Sequence, residues 1–172
     1  DAITLDIQRP NDPPVNTVPG AQTVDEDQPL TFSTANSNLI SIADPDAGTA
    51  AVEVTLSVTN GTLTLVATAG LTFTSGTGTG DASMVFEGAI TDINGALDGL
   101  LYQPTADYNG TATLTILTDD LGNTGTGGPL SHSDDVTITI NAVNDEPTFT
   151  PGANVTVAED SGPYSNGWAT AV

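Results

Sequence analysis

The side chains of this chain that offer chemistry are oxygen donors. Aspartate and glutamate number 22 against a single cationic residue, Arg9, giving a formal net charge of -21. The acids and their companion amides gather in short clusters: Asn11-Asp12, Asp25-Glu26-Asp27, Asp44-Pro45-Asp46, Asp119-Asp120 and Asn144-Asp145. Carboxylates at such spacing repel one another, and one Arg without any Lys cannot neutralise them through salt bridges. Hard divalent cations relieve the repulsion, and Ca²⁺ takes about six to eight oxygens from carboxylates, amides and backbone carbonyls. A solvated acidic surface is the plainer alternative, and the clustering favours the ion.

Other chemistries fare worse. Nucleic acid is excluded as a partner, and a nucleotide-phosphate site disfavoured, because phosphate neutralisation needs clustered cations. The chain has no Cys, hence no disulfide, thiolate metal site or Cys nucleophile. His132 lies among Ser131, Ser133 and Asp134, but adjacent residues of a strand point to opposite faces and do not assemble a relay, so no enzymatic activity is expected. Asp25 and Asp27 resemble a glycosidase pair without an aromatic sugar platform, since the one Trp, Trp168, lies far along the chain. Asp44-x-Asp46-x-Gly48 is no EF-hand, because Gly stands at loop position five and Thr55 where the bidentate Glu belongs. The single run Gly76-Thr77-Gly78-Thr79-Gly80-Asp81 has no second copy to stack on as a calcium β-roll and reads as a flexible loop. Asn60-Gly61-Thr62, Asn109-Gly110-Thr111 and Asn154-Val155-Thr156 fit the glycosylation pattern but read as turns and strand starts. No apolar run approaches the ~18 residues of a membrane span, and no signal segment opens the chain, so a soluble mature segment without membrane insertion is expected.

Composition points to an all-β fold. Thr is abundant at 29, Gly numbers 18 and Pro 11, while 37% hydrophobic residues suffice for a core. Alternation predicts strands at residues 29–33, 39–43, 83–86, 99–103, 111–117 and 135–141, and a hairpin over 51–66 turning at Asn60-Gly61, with Val58 opposite Leu63 and Leu56 opposite Leu65. One short helix is expected near Thr91, capped by it and running through Ile93 and Leu97 toward Gly99. So many short strands suggest an Ig-like Greek-key β-sandwich, in which Tyr108 suits a tyrosine corner. Sliding the chain on itself by 133 residues superimposes Asp1, Thr4, Ile7, Asn11, Asp12, Pro14, Glu26 and Asp27 on Asp134, Thr137, Ile140, Asn144, Asp145, Pro147, Glu159 and Asp160. A tandem repeat follows, with residues 1–12 the last strand and linker of one unit, 13–145 a complete repeat, and 146–172 the start of the next.

Strand parity then places the acids. The first strand descends to Asp25-Glu26-Asp27. The second ascends to Asp44 and Asp46, beside the incoming Asn11 and Asp12, and the strand after Tyr108 delivers Asp119 and Asp120 to that same upper pole. The final strand carries Asn144 and Asp145 down toward Glu26 and Asp27.

In that order the phrases Glu26-Asp27-x-Pro29, Ala43-Asp44-Pro45-Asp46-x-Gly48, Tyr102-x-Pro104-x-x-Asp107-Tyr108-Asn109-Gly110 and Val143-Asn144-Asp145-x-Pro147 resemble the cadherin-like and VCBS-type tandem repeats of large bacterial surface proteins and adhesins. The resemblance implies calcium ligands at Asn11, Asp12, Asp44, Asp46 and Asp119 of one joint, and Glu26 with Asn144 and Asp145 at the other. It further implies an extracellular, secreted structural repeat, with neighbouring repeats as its partners. Two rival readings stand beside it: a module binding carbohydrate or a cell surface, and a fibre subunit exchanging strands head to tail between copies.

Overall fold

The computed structural model describes residues 9–147, 149–151, 154, 156, 158–160, 162–163 and 169–171. The chain divides into two compact units, Asp1–Ala142 and Val143–Val172. The strand expected at residues 2–7 and Trp168 lie outside the described residues. In the second unit, β12 (Phe149–Pro151) pairs antiparallel with β13 (Ala169–Ala171); the remainder concerns the first unit.

That unit is an all-β, Ig-like sandwich with one short helix. Its strands are β1 (Val15–Thr17), β2 (Gln22–Asp25), β3 (Leu30–Phe32), β4 (Ser41–Ala43), β5 (Ala51–Val58), β6 (Gly61–Thr64), β7 (Thr72–Ser75), β8 (Ser83–Ala89), β9 (Leu100–Pro104), β10 (Gly110–Asp119) and β11 (Ser131–Asn141), with α1 (Ile90–Leu97) between β8 and β9. A six-stranded sheet runs β2-β11-β10-β5-β8-β7, a three-stranded sheet β3-β9-β6, and β1 pairs with β4. All these pairings are antiparallel except β2 on β11.

The core follows from alternation. Val52, Val54, Leu56 and Val58 of β5, Ala112, Leu114 and Ile116 of β10, and Val136, Ile138 and Ile140 of β11 turn to one face and are buried. Phe32, Leu63, Leu100 and Tyr102 belong to the same core cluster from the smaller sheet. The intervening positions of β5 and β10, mostly Thr and Ser, are more exposed, as a one-sided sheet requires. Helix α1 adds Ile93, Ala96 and Leu97 to the core. It starts one residue before Thr91 with Ala89 as N-cap and no side-chain cap, because its seat is set by packing. Its Asn94 acts as a strand partner: Oδ1 accepts the Ile42 N–H and Nδ2 donates to the Ile42 carbonyl, both at 2.8 Å.

The expected hairpin over 51–66 does not form. β5 pairs with β10 and β8, whereas β6 pairs with β9 in the other sheet, so the chain crosses between layers at Asn60-Gly61. All four apolar residues of the supposed pairs are still buried, as members of one core cluster rather than of one ladder. Asn60, at φ 54°, fixes the crossing. Its carbonyl accepts the Tyr102 hydroxyl at 2.8 Å and the Thr105 N–H at 3.0 Å, and its Nδ2 donates to Tyr108 Oη at 2.9 Å. Tyr108 donates in turn to the Thr111 carbonyl at 3.1 Å, a corner-type bond. Burial, with Tyr108 nearby, pushes the Tyr102 hydroxyl up to about 12, so it stays a donor at any physiological pH.

The Gly/Thr-rich run is not a loose loop either. β7 extends the large sheet, and the following turn is gathered on Asp81, whose Oδ2 accepts the backbone N–H groups of Thr77, Gly78 and Thr79 at 2.8, 2.8 and 3.1 Å. Burial opposes ionisation there, but these donors win and hold the carboxyl below its ordinary value.

Gly61 is where this crossing tolerates least. A Cβ there meets Tyr102 Cε2 at 2.4 Å and the Gln103 carbonyl oxygen at 2.5 Å, while one at Gly20 meets nothing within 4 Å. Gly61→Ala is expected to cost about 1–3 kcal/mol in urea denaturation, and Gly20→Ala to stay within about 0.5 kcal/mol.

Candidate functional site

The upper end of the sandwich is built by the segment 9–12, the β4–β5 turn and the long β10–β11 loop. The segment joins the loop as a short parallel bridge: Thr126 N–H donates to the Arg9 carbonyl at 2.9 Å, and Asn11 N–H to the Thr126 carbonyl at 3.0 Å. Gly125 permits the approach, since a Cβ there would lie 2.5 Å from the Asn11 nitrogen.

Asp120 organises the loop from inside. It is 1% exposed. Its Oδ1 accepts the N–H groups of Gly122 and Leu130 at 2.7 and 2.8 Å, and its Oδ2 accepts Asn11 Nδ2 at 2.6 Å. Asn11 Nδ2 also donates to the Gly128 carbonyl at 3.0 Å. The next residue connects onward, as the Asp12 N–H donates to Asp46 Oδ2 at 3.0 Å. Asp44 closes its own turn, Oδ1 accepting the N–H groups of Asp46 and Ala47, both at 3.0 Å. Thr124 Oγ1 donates to the Asp46 carbonyl and Asn123 Nδ2 to the Ala51 carbonyl, locking the loop over the turn.

Two oxygens in this connected cluster are left over. Asn11 Oδ1 and Asp44 Oδ2 are buried without any hydrogen-bond donor, although Asn11 is only 8% exposed. Buried acceptors are almost always paired, so these two oxygens are exceptions. Burial, and beyond it the Asp46 carboxylate, raises the Asp44 carboxyl above its ordinary range despite its backbone donors. The Asp12 N–H and then the Asp44 carboxyl hold Asp46 below it. Carboxylate and amide oxygens are the donor types that a hard cation takes. Among the described residues no three His, Cys, Asp or Glu side chains already converge as a metal cage; this cluster instead mixes two carboxylates with an amide.

Asp119 stands apart. Thr118 is fully buried, so its neighbour Asp119 turns to the outer face of β10, where its Oδ1 accepts the Leu121 N–H at 2.8 Å. Of the Asp119-Asp120 pair, Asp120 is the one that meets Asn11.

At the lower end Glu26 is 5% exposed, and its Oε2 accepts Asn109 Nδ2 at 3.3 Å. Asp27, at φ 61°, accepts the Asp107 N–H at 3.1 Å, and Asp25 accepts Asn141 Nδ2 at 3.0 Å. Asn144 and Asp145 belong to the second unit, where Asn144 Nδ2 donates to the Asp145 carbonyl at 3.4 Å.

The sequence reading missed Asn16, Asn123, Thr124 and Gly125, which do the fastening around the upper cluster. It also separated His132 from Asp134, although residues two apart on a strand share a face; His132 Nδ1 and Asp134 Oδ2 are 3.4 Å apart. The exposed large hydrophobics among the described residues are the aliphatic Val15, Val66, Leu117, Leu121, Leu130 and Val143, none of them a sugar-stacking ring. Among the described residues no helix is long and apolar enough to cross a membrane. No protein-family model matches the chain, and no curated protein matches it at a significant level.

Asp120→Ala strips three donors of their acceptor and is expected to cost about 2–4 kcal/mol in urea denaturation, whereas Asp119→Ala costs under about 1 kcal/mol.

Proposed function

We propose that this chain is a calcium-stiffened extender repeat of an extracellular surface protein or adhesin, with neighbouring repeats as its partners and no catalytic step. The observation that carries the reading is the presence of two buried, donorless oxygens, Asn11 Oδ1 and Asp44 Oδ2, in an acidic cluster whose carboxylates make no ion pair with Arg or Lys among the described residues. Asn11, Asp12, Asp44 and Asp46 are the residues that would hold the ion at the upper end. Glu26 and Asp27 are the corresponding acids of the lower end, and Asp120 supports the upper set by orienting the Asn11 amide.

The mechanism is mechanical. A bound ion supplies positive charge to oxygens that backbone donors leave unmatched, and so ties the linker to the β4–β5 turn. In a tandem array this fastening at each joint makes a stiff spacer from units that Pro-rich segments would otherwise let swing. The resemblance to cadherin-like and VCBS-type repeats supports the same reading, as does the strand-on-loop seat of residues 9–12.

Extracellular modules of this kind bind calcium at about 0.1 to 1 mM, so about 10 mM calcium should stabilise the chain by roughly 1–3 kcal/mol over chelator. Differential scanning calorimetry tests it, and an unchanged Tm defeats the reading. Asp44→Asn supplies the sharper arm. Removing a buried charge of raised pKa, it should melt above the native chain in chelator, and below it at saturating calcium.

A further inference from the structure

Strand β1 is held to β11 by one side chain, Asn16. Its Nδ2 donates to the carbonyls of His132 at 2.9 Å and Ile116 at 3.3 Å, and its Oδ1 accepts the Thr118 hydroxyl at 2.7 Å. Its backbone N–H is the unusual member. Asn16 stands opposite Ile42 in the β1–β4 ladder, but the N–H and carbonyl of Ile42 are taken by Asn94. The Asn16 N–H therefore points away from β4, and donates to His132 Nδ1 at 3.1 Å. A nitrogen that accepts carries no proton, so the imidazole is neutral with its hydrogen on Nε2.

The same Nδ1 has a second neighbour. Asp134 Oδ2 lies 3.4 Å away, buried and without a donor of its own. Nδ1 can accept from Asn16 or donate to Asp134, never both. The imidazole is 42% exposed, so it exchanges protons with solvent freely.

The geometry points to a proton-driven latch on the first strand: protonation of His132 transfers Nδ1 from the Asn16 backbone to Asp134 and loosens β1 at the point where the linker enters the sandwich. Neutral imidazole seats the strand and leaves Asp134 Oδ2 unmatched. Imidazolium satisfies Asp134 and turns an N–H against the Asn16 N–H, leaving that donor without its acceptor. The surrounding charges do not blur the exchange. β1 and β4 carry no ionisable side chain. On β10, Thr118 is the residue paired with His132, and Asp119 pairs with Ser131 while facing outward. Asp120, beyond it, is engaged by Asn11. Asp135 sits on the opposite face of β11, held by Thr115 Oγ1, and Asp25 of β2 lies at the far end of β11, level with Asn141.

The test is amide hydrogen exchange by NMR on the full chain in chelator, so that competition between protons and calcium cannot mimic the effect. Between pH 8 and about pH 5, the range in which histidine ordinarily titrates, protection of the Asn16 amide, corrected for intrinsic exchange, is expected to fall on the order of tenfold, as for one lost hydrogen bond. Its midpoint should coincide with that of the His132 ring protons, while Ile116 and Ile138 stay constant. Asp134→Asn, which removes the anion, should move both midpoints to lower pH. Protection that stays flat through the His132 titration, or midpoints unmoved by Asp134→Asn, overturns the latch.

Discussion

The constraint on which the structure depends is the near absence of cations. With one Arg against 22 acids, the carboxylates of the described loops have backbone N–H groups and side-chain amides as their counter-charge. The loops are shaped accordingly. Residues 77–79 curl so that successive N–H groups converge on Asp81. The β10–β11 loop folds back so that Gly122 and Leu130 reach Asp120, and the β4–β5 turn closes on Asp44. Each pairing is a charge-assisted bond that replaces what a salt bridge supplies elsewhere. The acids therefore nucleate loop structure as well as charging the surface.

Supply of donors is finite, and the place where it runs out is informative. Asp120 takes three donors and is buried at little cost, whereas Asp44 takes two on one oxygen and none on the other. Asn11 Oδ1, whose amide nitrogen is spent on Asp120 and Gly128, is a second such oxygen at the upper end, and Asp134 Oδ2, beside His132, is a third elsewhere. Asp120 and Asp44 are thus told apart by donor count, not by sequence context.

That distinction explains what was legible in the sequence. Period-two alternation marks which side chains enter the core, and strands β5, β8, β10 and β11 fall where it places them. Strand parity brings Asn11, Asp12, Asp44, Asp46 and Asp120 to one end. Alternation does not say which strand is the partner, so Asn60-Gly61, a good two-residue hairpin turn by composition, instead bridges two sheets once Tyr102 and Tyr108 hold Asn60. Nor does it resolve one-residue questions at a strand end, which is why Asp119 and Asp120 look alike in sequence and face opposite ways. The Gly/Thr-rich run looks flexible because its order comes from Asp81, a single acid with no periodic signature. Asn16 is illegible altogether, since a lone amide between Val15 and Thr17 shows nothing of the carbonyls it will meet.

Magnitudes also decide how the two ends communicate. Within the upper cluster the contacts from Asp120 through Asn11, and from Asp12 to Asp46 and within the Asp44 turn, run in steps of 2.6 to 3.0 Å. The Debye length at physiological salt is about 8 Å, so dissolved monovalent ions do not quench repulsion inside the cluster; only a directly bound species does. Between the ends the relation reverses. β10 spans 10 residues from beside the Asn109–Glu26 contact to Asp119, roughly 33 Å at ordinary strand rise, several screening lengths. Charge at one pole is then almost unfelt at the other. Any coupling between the poles must travel through the packed strands, and β1, which follows the linker directly and is fastened to β11 by Asn16, is where that mechanical path begins.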